Sequence, residues 1–184
     1  MSELLKYFKN LENIEDLELK LTLETLYQKS GAVVPEDAAW YWENQTKVVV
    51  QGDKLTNIYP LRLLPNLEII VLDGNYINDI SSLVELPNAY HLNLIDNRLK
   101  SISGIEKLTT IRELFLGVNL IEDISSLKSL VNLRLLGLKS NRIKDIEPLK
   151  SLVNLVQLNL TGNLLTNSQV DSLKGALPGC KILF

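Results

Sequence analysis

A nine-residue phrase returns along this chain at a fixed interval. Leu67–Asn75 (LEIIVLDGN) comes back as Ile111–Asn119 (IRELFLGVN) and again as Leu133–Asn141 (LRLLGLKSN), with spacings that are multiples of 22 residues. A period this short leaves room for one coil per repeat, so the chain must build a stack of similar coils, a solenoid. No single coil can bury its own apolar residues; neighbours bury them for each other. A stack also presents an open surface instead of enclosing a pocket, which favours binding over catalysis.

The frames run 45–66, 67–88, 89–110, 111–132 and 133–154, followed by an irregular last unit over 155–184. With positions counted one to twenty-two in each frame, positions four and six hold Val48/Val50, Ile70/Leu72, Leu92/Leu94, Leu114/Leu116, Leu136/Leu138 and Leu158/Leu160. That alternation predicts a short strand with one face inward. Position nine holds Asp53, then Asn75, Asn97, Asn119, Asn141 and Asn163. Positions eleven, fourteen, seventeen and twenty are again Leu or Ile. A 22-residue coil is too short for a full helix after its strand and corner, so the return segments must be tight, and Pro60, Pro65, Pro87 and Pro148 sit in them.

These positions resemble the leucine-rich repeat, L-x-x-L-x-L-x-x-N-x-L, over residues 45–184. The tails Ile77–Leu83 (INDISSL) and Ile121–Leu127 (IEDISSL) resemble the 22-residue internalin and SDS22-like subclass. The resemblance implies an α/β solenoid: a right-handed coil with a parallel β-sheet on its concave side and 3-10 or loop segments on its convex side. It implies protein binding as the usual role, and the internalin likeness points to a bacterium. Gln45, Ala89 and Asp53 depart from the pattern, and the third frame reads Ser101–Ile105 (SISGI), without the aspartate.

Exposed ends of such a stack need covers. Residues 1–44 are expected to form a mostly helical N-terminal cap, residues 45–154 five repeats, and residues 155–184 the last repeat with a helix-plus-strand C-terminal cap. Leu4, Leu5, Phe8 and Leu11 suit a helical face. Leu17, Leu19, Leu21 and Leu23 alternate, so that stretch reads as strand or helix. Glu36–Asn44 reads as a short helix. Near the end, Asn167 reads as the capping residue of a helix carrying Val170, Leu173 and Leu177 on one face, with Cys180–Phe184 as a final strand.

Charge excludes some partners. Lys plus Arg number 19 against 22 acids, too balanced for a nucleic-acid binder. The first 44 residues hold four lysines against nine acids, whereas the rest holds fifteen bases against thirteen acids. No apolar run approaches membrane-spanning length, so no membrane association is expected. The N-terminus lacks the pattern of a signal peptide, so a cytoplasmic location is expected, non-classical export being the other route. One cysteine, Cys180, rules out an intramolecular disulfide framework and fits a reducing compartment.

Candidate chemistry is sparse. The asparagines of position nine read as backbone-satisfying corner residues. His91 is the only histidine, so a site of paired histidine ligands is excluded. Its best reading is a surface imidazole in a binding patch; a catalytic pairing with Asp96 or Glu113 has no identifiable nucleophile beside it. Asp73, Asp96 and Asn93 could attract a cation, but no calcium-loop motif supports this. Neither phosphate-loop nor hydrolase-elbow motifs occur, so the chain is expected to be non-enzymatic and to need no cofactor or metal.

Strand positions two, three, five, seven and eight should point out of the concave sheet. There Ile69, Val71, Ile95, Phe115, Val118 and Leu135 are apolar where the fold does not require it, with Tyr90 and His91 beside them and Tyr76 and Leu120 at the border. An exposed apolar patch of this kind marks an interaction site. A protein or peptide partner is expected on Ile69, Val71, Tyr90, His91, Ile95, Phe115, Val118 and Leu135. The chain is expected to be monomeric, with weak self-association through the patch as one alternative. A regulatory subunit of an enzyme such as a phosphatase is another.

Overall fold

The protein is described by a computed structural model covering residues 1–184, the side chain of Val84 excepted. Each repeat contributes one three-residue strand: β1 (Lys47–Val49), β2 (Ile69–Val71), β3 (His91–Asn93), β4 (Glu113–Phe115), β5 (Leu135–Gly137), β6 (Gln157–Asn159) and β7 (Lys181–Leu183). They form one parallel sheet in chain order. From β1 to β6 each residue pairs with the residue 22 later, as Lys47 with Ile69 and Val48 with Ile70. Between β6 and β7 the offset is 24, Gln157 pairing with Lys181. The extra length accommodates a helix, α4 (Asn167–Ala176), where the other coils return through 3-10 turns such as Ser125–Ser129 and Glu147–Ser151.

The apolar positions fill the space between sheet and turns. Ile70, Leu92, Leu114 and Leu158 on the strands are fully buried, as are Leu83, Ile105, Leu127 and Leu149 on the convex side. Truncating any of these to alanine removes buried methylenes and leaves a cavity, at a cost of about 2–5 kcal/mol.

Polar side chains hold the two bends of each coil. At the convex bend, Asp79, Asp123 and Asp145 accept the backbone N–H of Ser81, Ser125 and Glu147. The frame that lacks the aspartate keeps the turn, because Ser101 Oγ accepts from Ser103 N in its place. A second periodic set, not singled out from sequence, lies at position twenty-two. There Asn66, Asn88, Asn132 and Asn154 donate side-chain N–H to the carbonyls of Glu43, Pro65, Thr109 and Val131 one coil earlier.

Three helices precede β1: α1 (Glu3–Lys9), α2 (Leu17–Ser30) and α3 (Pro35–Glu43). The stretch with alternating leucines is therefore helix. Asp16 starts it by accepting from Glu18 N and Leu19 N, and helical spacing turns Leu23 and Leu26 inward while Leu17 and Leu21 stay exposed. Trp42 of α3 donates its indole N–H to Leu26 O at 2.8 Å, and Thr22 of α2 donates to Asn57 O of the first repeat. At the other end the helix cap is Thr166, one residue before the expected Asn167: Thr166 and Gln169 form a reciprocal capping box. Val170, Leu173 and Leu177 are buried as the periodicity implies.

Candidate functional site

The asparagines of position nine are structural. Asn119 Nδ2 donates to Leu94 O (2.9 Å), Leu116 O (3.1 Å) and Gly117 O (3.2 Å), and its Oδ1 accepts from Leu99 N (3.0 Å). The same bonds recur at Asn75, Asn97 and Asn141, so each corner ties its coil to the preceding one. The first repeat has no coil before it for an amide to bond. There Asp53 stands instead, its carboxylate 3.3 Å from Lys29 Nζ of α2.

Position eight, just before each corner, is left-handed in every coil: φ is +72° at Gly52, +70° at Gly74 and +75° at Gly162, and also positive at Asp96, Val118 and Ser140. Asp and Ser accept this conformation better than a β-branched residue does. Val118, at φ +56° and 45 % exposed, is thus both strained and presented to solvent.

Of the residues expected on the concave face, Ile69, Val71, Tyr90, His91, Ile95, Phe115 and Leu135 are half-buried and Val118 is exposed. Parallel register sets Ile69 beside His91 and His91 beside Glu113, with Leu135 next in the same row. The His91 Nδ1 and Glu113 Oε2 atoms are 2.7 Å apart, and the imidazole lies 5.5 Å from the Phe115 ring centroid. No Ser, Thr or Cys hydroxyl or thiol bonds to His91 among the described residues. Asp73 does not stand free: Gln51 Nε2 and Asn93 Nδ2 donate to its carboxylate.

Ile95, Phe115, Val118 and Leu135 converge on a hollow of about 330 Å³, completed by Gly117, Gly137, Lys139, Gln157 and Asn159. Glycine makes it. A Cβ on Gly137 would stand 3.1 Å from Phe115 Cδ1, and one on Gly117 3.3 Å from Lys139 O. The Phe115 ring therefore lies over Gly137, and neither strand raises a side chain through the floor. Gly117 and Gly137 hold the outward positions seven and five of adjacent coils, which is the trace of the hollow in the sequence.

Other expected neighbours lie elsewhere. Tyr90 lines a separate groove at the entry edge of the strands, with Glu68, Arg112, Arg134 and the position-twenty-two asparagines. Tyr76 and Leu120 do not border the concave patch, because the chain has turned the corner before position ten. The Tyr76 ring stacks under the Arg98 guanidinium at 3.7 Å, and Leu120 lines a groove with Asn78, Arg98 and Lys100. Cys180 is a free, half-buried thiol whose burial pushes its pKa above the usual cysteine value. No helix among the described residues is long and apolar enough to cross a membrane.

Comparison with known proteins agrees with this geometry. A family model described as "Leucine Rich repeats (2 copies)" matches residues 131–175. No curated protein gives a significant sequence match. Among solved structures, an internalin (inlF) from Listeria monocytogenes is similar over 99 % of this chain at 26 % identity, with a TM-score of 0.71. The chain spans 57 % of that structure's length. An internalin C2 from the same organism is similar in fold over 88 % of this chain and 81 % of its own, at 24 % identity and TM-score 0.65. The LRIM1/APL1C complex also shares the fold, over 68 % of this chain and 25 % of that one, at 17 % identity and TM-score 0.62. With its seven-stranded parallel sheet and 3-10 returns, the chain is an α/β solenoid with structural similarity to internalins, and its residues 131–175 match leucine-rich repeats.

Proposed function

We propose that this protein is a non-enzymatic binding module that holds a protein or peptide partner on its concave face. The observation that carries the reading is the partly open apolar surface of Ile69, Val71, Phe115 and Leu135 on β2, β4 and β5 with Ile95 and Val118 in the segments that follow β3 and β4. The core uses only the opposite parity of those strands, so folding does not demand apolar residues there. Val118 adds to the argument, since its backbone conformation favours glycine yet the position exposes a branched apolar side chain. His91 belongs to the rim of this surface, with the Glu113 carboxylate holding the imidazole in place, and Tyr90 lies just beyond it in the entry-edge groove. One of the similar structures is itself a complex of two proteins, which is consistent with this class of role.

The test compares wild type with a Val71→Glu, Ile95→Glu, Phe115→Ala variant as bait in extract of the native cells. Circular dichroism first establishes that both are folded. Partners held by wild type and released by the variant support the concave site; identical partners on both baits refute it. Turnover abolished by His91→Ala with the fold intact would instead make the protein an enzyme.

A further inference from the structure

The hollow around Gly137 sits in an unbalanced electrostatic setting. On or immediately before or after the last four strands, Arg112, Arg134, Lys139 and Lys181 are exposed, and none of them forms an ion pair among the described residues. The only acid on the same strands is Glu113, and its carboxylate is engaged by His91. Lys139 lines the hollow, and Arg134, one residue before the wall residue Leu135, lines the neighbouring entry-edge groove with Arg112 and Glu68; the two cations stand two residues after and three residues before Gly137. At about 3.3 Å per residue their Cα atoms are roughly 16 Å apart. That span exceeds one amino acid and matches a short extended segment. The hollow itself, near the lower end of the about 300–1,000 Å³ of small-ligand clefts, admits one bulky side chain with the backbone that carries it.

We infer that the concave face takes an extended acidic peptide segment, seating one bulky apolar side chain over Gly117 and Gly137 between Phe115 and Leu135, with carboxylates two or three residues to either side meeting Arg134 and Lys139. This rests on the concave-face reading above and adds the chemistry of the partner. The apolar anchor gains by leaving water. The cations steer the segment and set its register, and the attraction weakens with salt. A basic peptide of the same shape would bring like charges together at Arg134 and at Lys139 and is rejected.

The test pans a random displayed peptide library on three folded proteins: wild type, Arg134→Glu/Lys139→Glu, and Val71→Glu/Ile95→Glu/Phe115→Ala. Arg134 and Lys139 are exposed, so their reversal leaves the core untouched. Wild type should enrich sequences with one large apolar residue flanked by Asp or Glu two or three positions away. The charge-reversed protein should enrich the same anchor with Lys or Arg flanks. A synthetic peptide of the wild-type consensus should bind the charge-reversed protein at least about tenfold more weakly, equivalent to about 1.4 kcal/mol. Peptides lost on the triple variant but indifferent to charge reversal overturn this inference and leave concave binding standing. Peptides bound equally by all three proteins overturn both. No enrichment on wild type overturns the peptide inference alone, the bait comparison above remaining the test of concave binding.

Discussion

Replacing Asn119 with alanine should destabilise the protein by about 2–4 kcal/mol, and replacing Asn163 by about half as much. The ladder's geometry sets the difference. Leu94 O accepts from both Asn97 and Asn119, and Leu116 O from both Asn119 and Asn141, so removing Asn119 leaves each carbonyl one partner. What it orphans is the Leu99 amide, which donates only to Asn119 Oδ1. A buried unpaired N–H costs about 1–3 kcal/mol, and the three lost side-chain N–H bonds contribute about 1 kcal/mol together once the surviving partners tighten. Asn119 is 6 % exposed, so water has no ready access to replace it. Asn163 makes corresponding bonds to Leu138 O, Leu160 O and Ile143 N but is half-exposed in the last full corner, where water can substitute. Asn119→Asp should be at least as damaging as the alanine near neutral pH, since it keeps the acceptor and sets a carboxylate against three carbonyls. Urea unfolding followed by circular dichroism gives the comparison, read at unchanged slope. A loss under about 1 kcal/mol for Asn119→Ala, or equal losses at the two positions, would refute the argument that burial of the shared corner sets the cost.

Relieving the left-handed strain by Val118→Asn should leave stability unchanged or raise it by up to about 1 kcal/mol while weakening partner binding; calorimetry showing a larger loss than that would contradict the strain argument. Thr166→Ala removes the capping box and should cost about 1 kcal/mol, with faster amide exchange confined to the first turn of α4. Because burial raises the Cys180 pKa, iodoacetamide should label it more slowly than a free cysteine at neutral pH, and labelling as fast as the free thiol would contradict that placement. The Ser125 backbone N–H lowers the Asp123 pKa, so the stabilisation from this carboxylate is present above the ordinary aspartate range and disappears as pH falls through the depressed value. Side-chain carboxyl titration by NMR should place the Asp123 midpoint below that of a model aspartate.

The repeat made much of the architecture legible in advance. Strand centres such as Leu92 and Leu114 and corner residues such as Asn97 follow from period and residue type alone, because each coil sees nearly the same environment as the next. The ends were less legible. Leu17–Leu23 could alternate as a strand or wind as a helix, and only packing of Leu23, Leu26 and Thr22 between α3 and the first repeat decides for helix. Thr166 outcompetes Asn167 as the cap because Gln169 lies three residues on to reciprocate.

For the candidate surface, sequence parity identified the outward residues but could not group them. Tyr76 and Leu120 looked contiguous with the patch in a linear reading; the corner turns them onto another flank. The hollow came from Gly117 and Gly137, whose missing side chains carry no hydrophobic signal and matter only because the Phe115 ring folds across the neighbouring strand. The same holds for charge. The list of residues contains Arg134, Lys139 and Glu113, yet only the parallel register shows that His91 occupies the acid while both cations remain unpaired. By itself the sequence determined the coil, its period and the polar residues at its bends, since these depend on contacts repeated at fixed separation along the chain. Tertiary structure alone decided which outward side chains share a surface and which charges are left for a partner, since those contacts run between coils and depend on the shape of each neighbour.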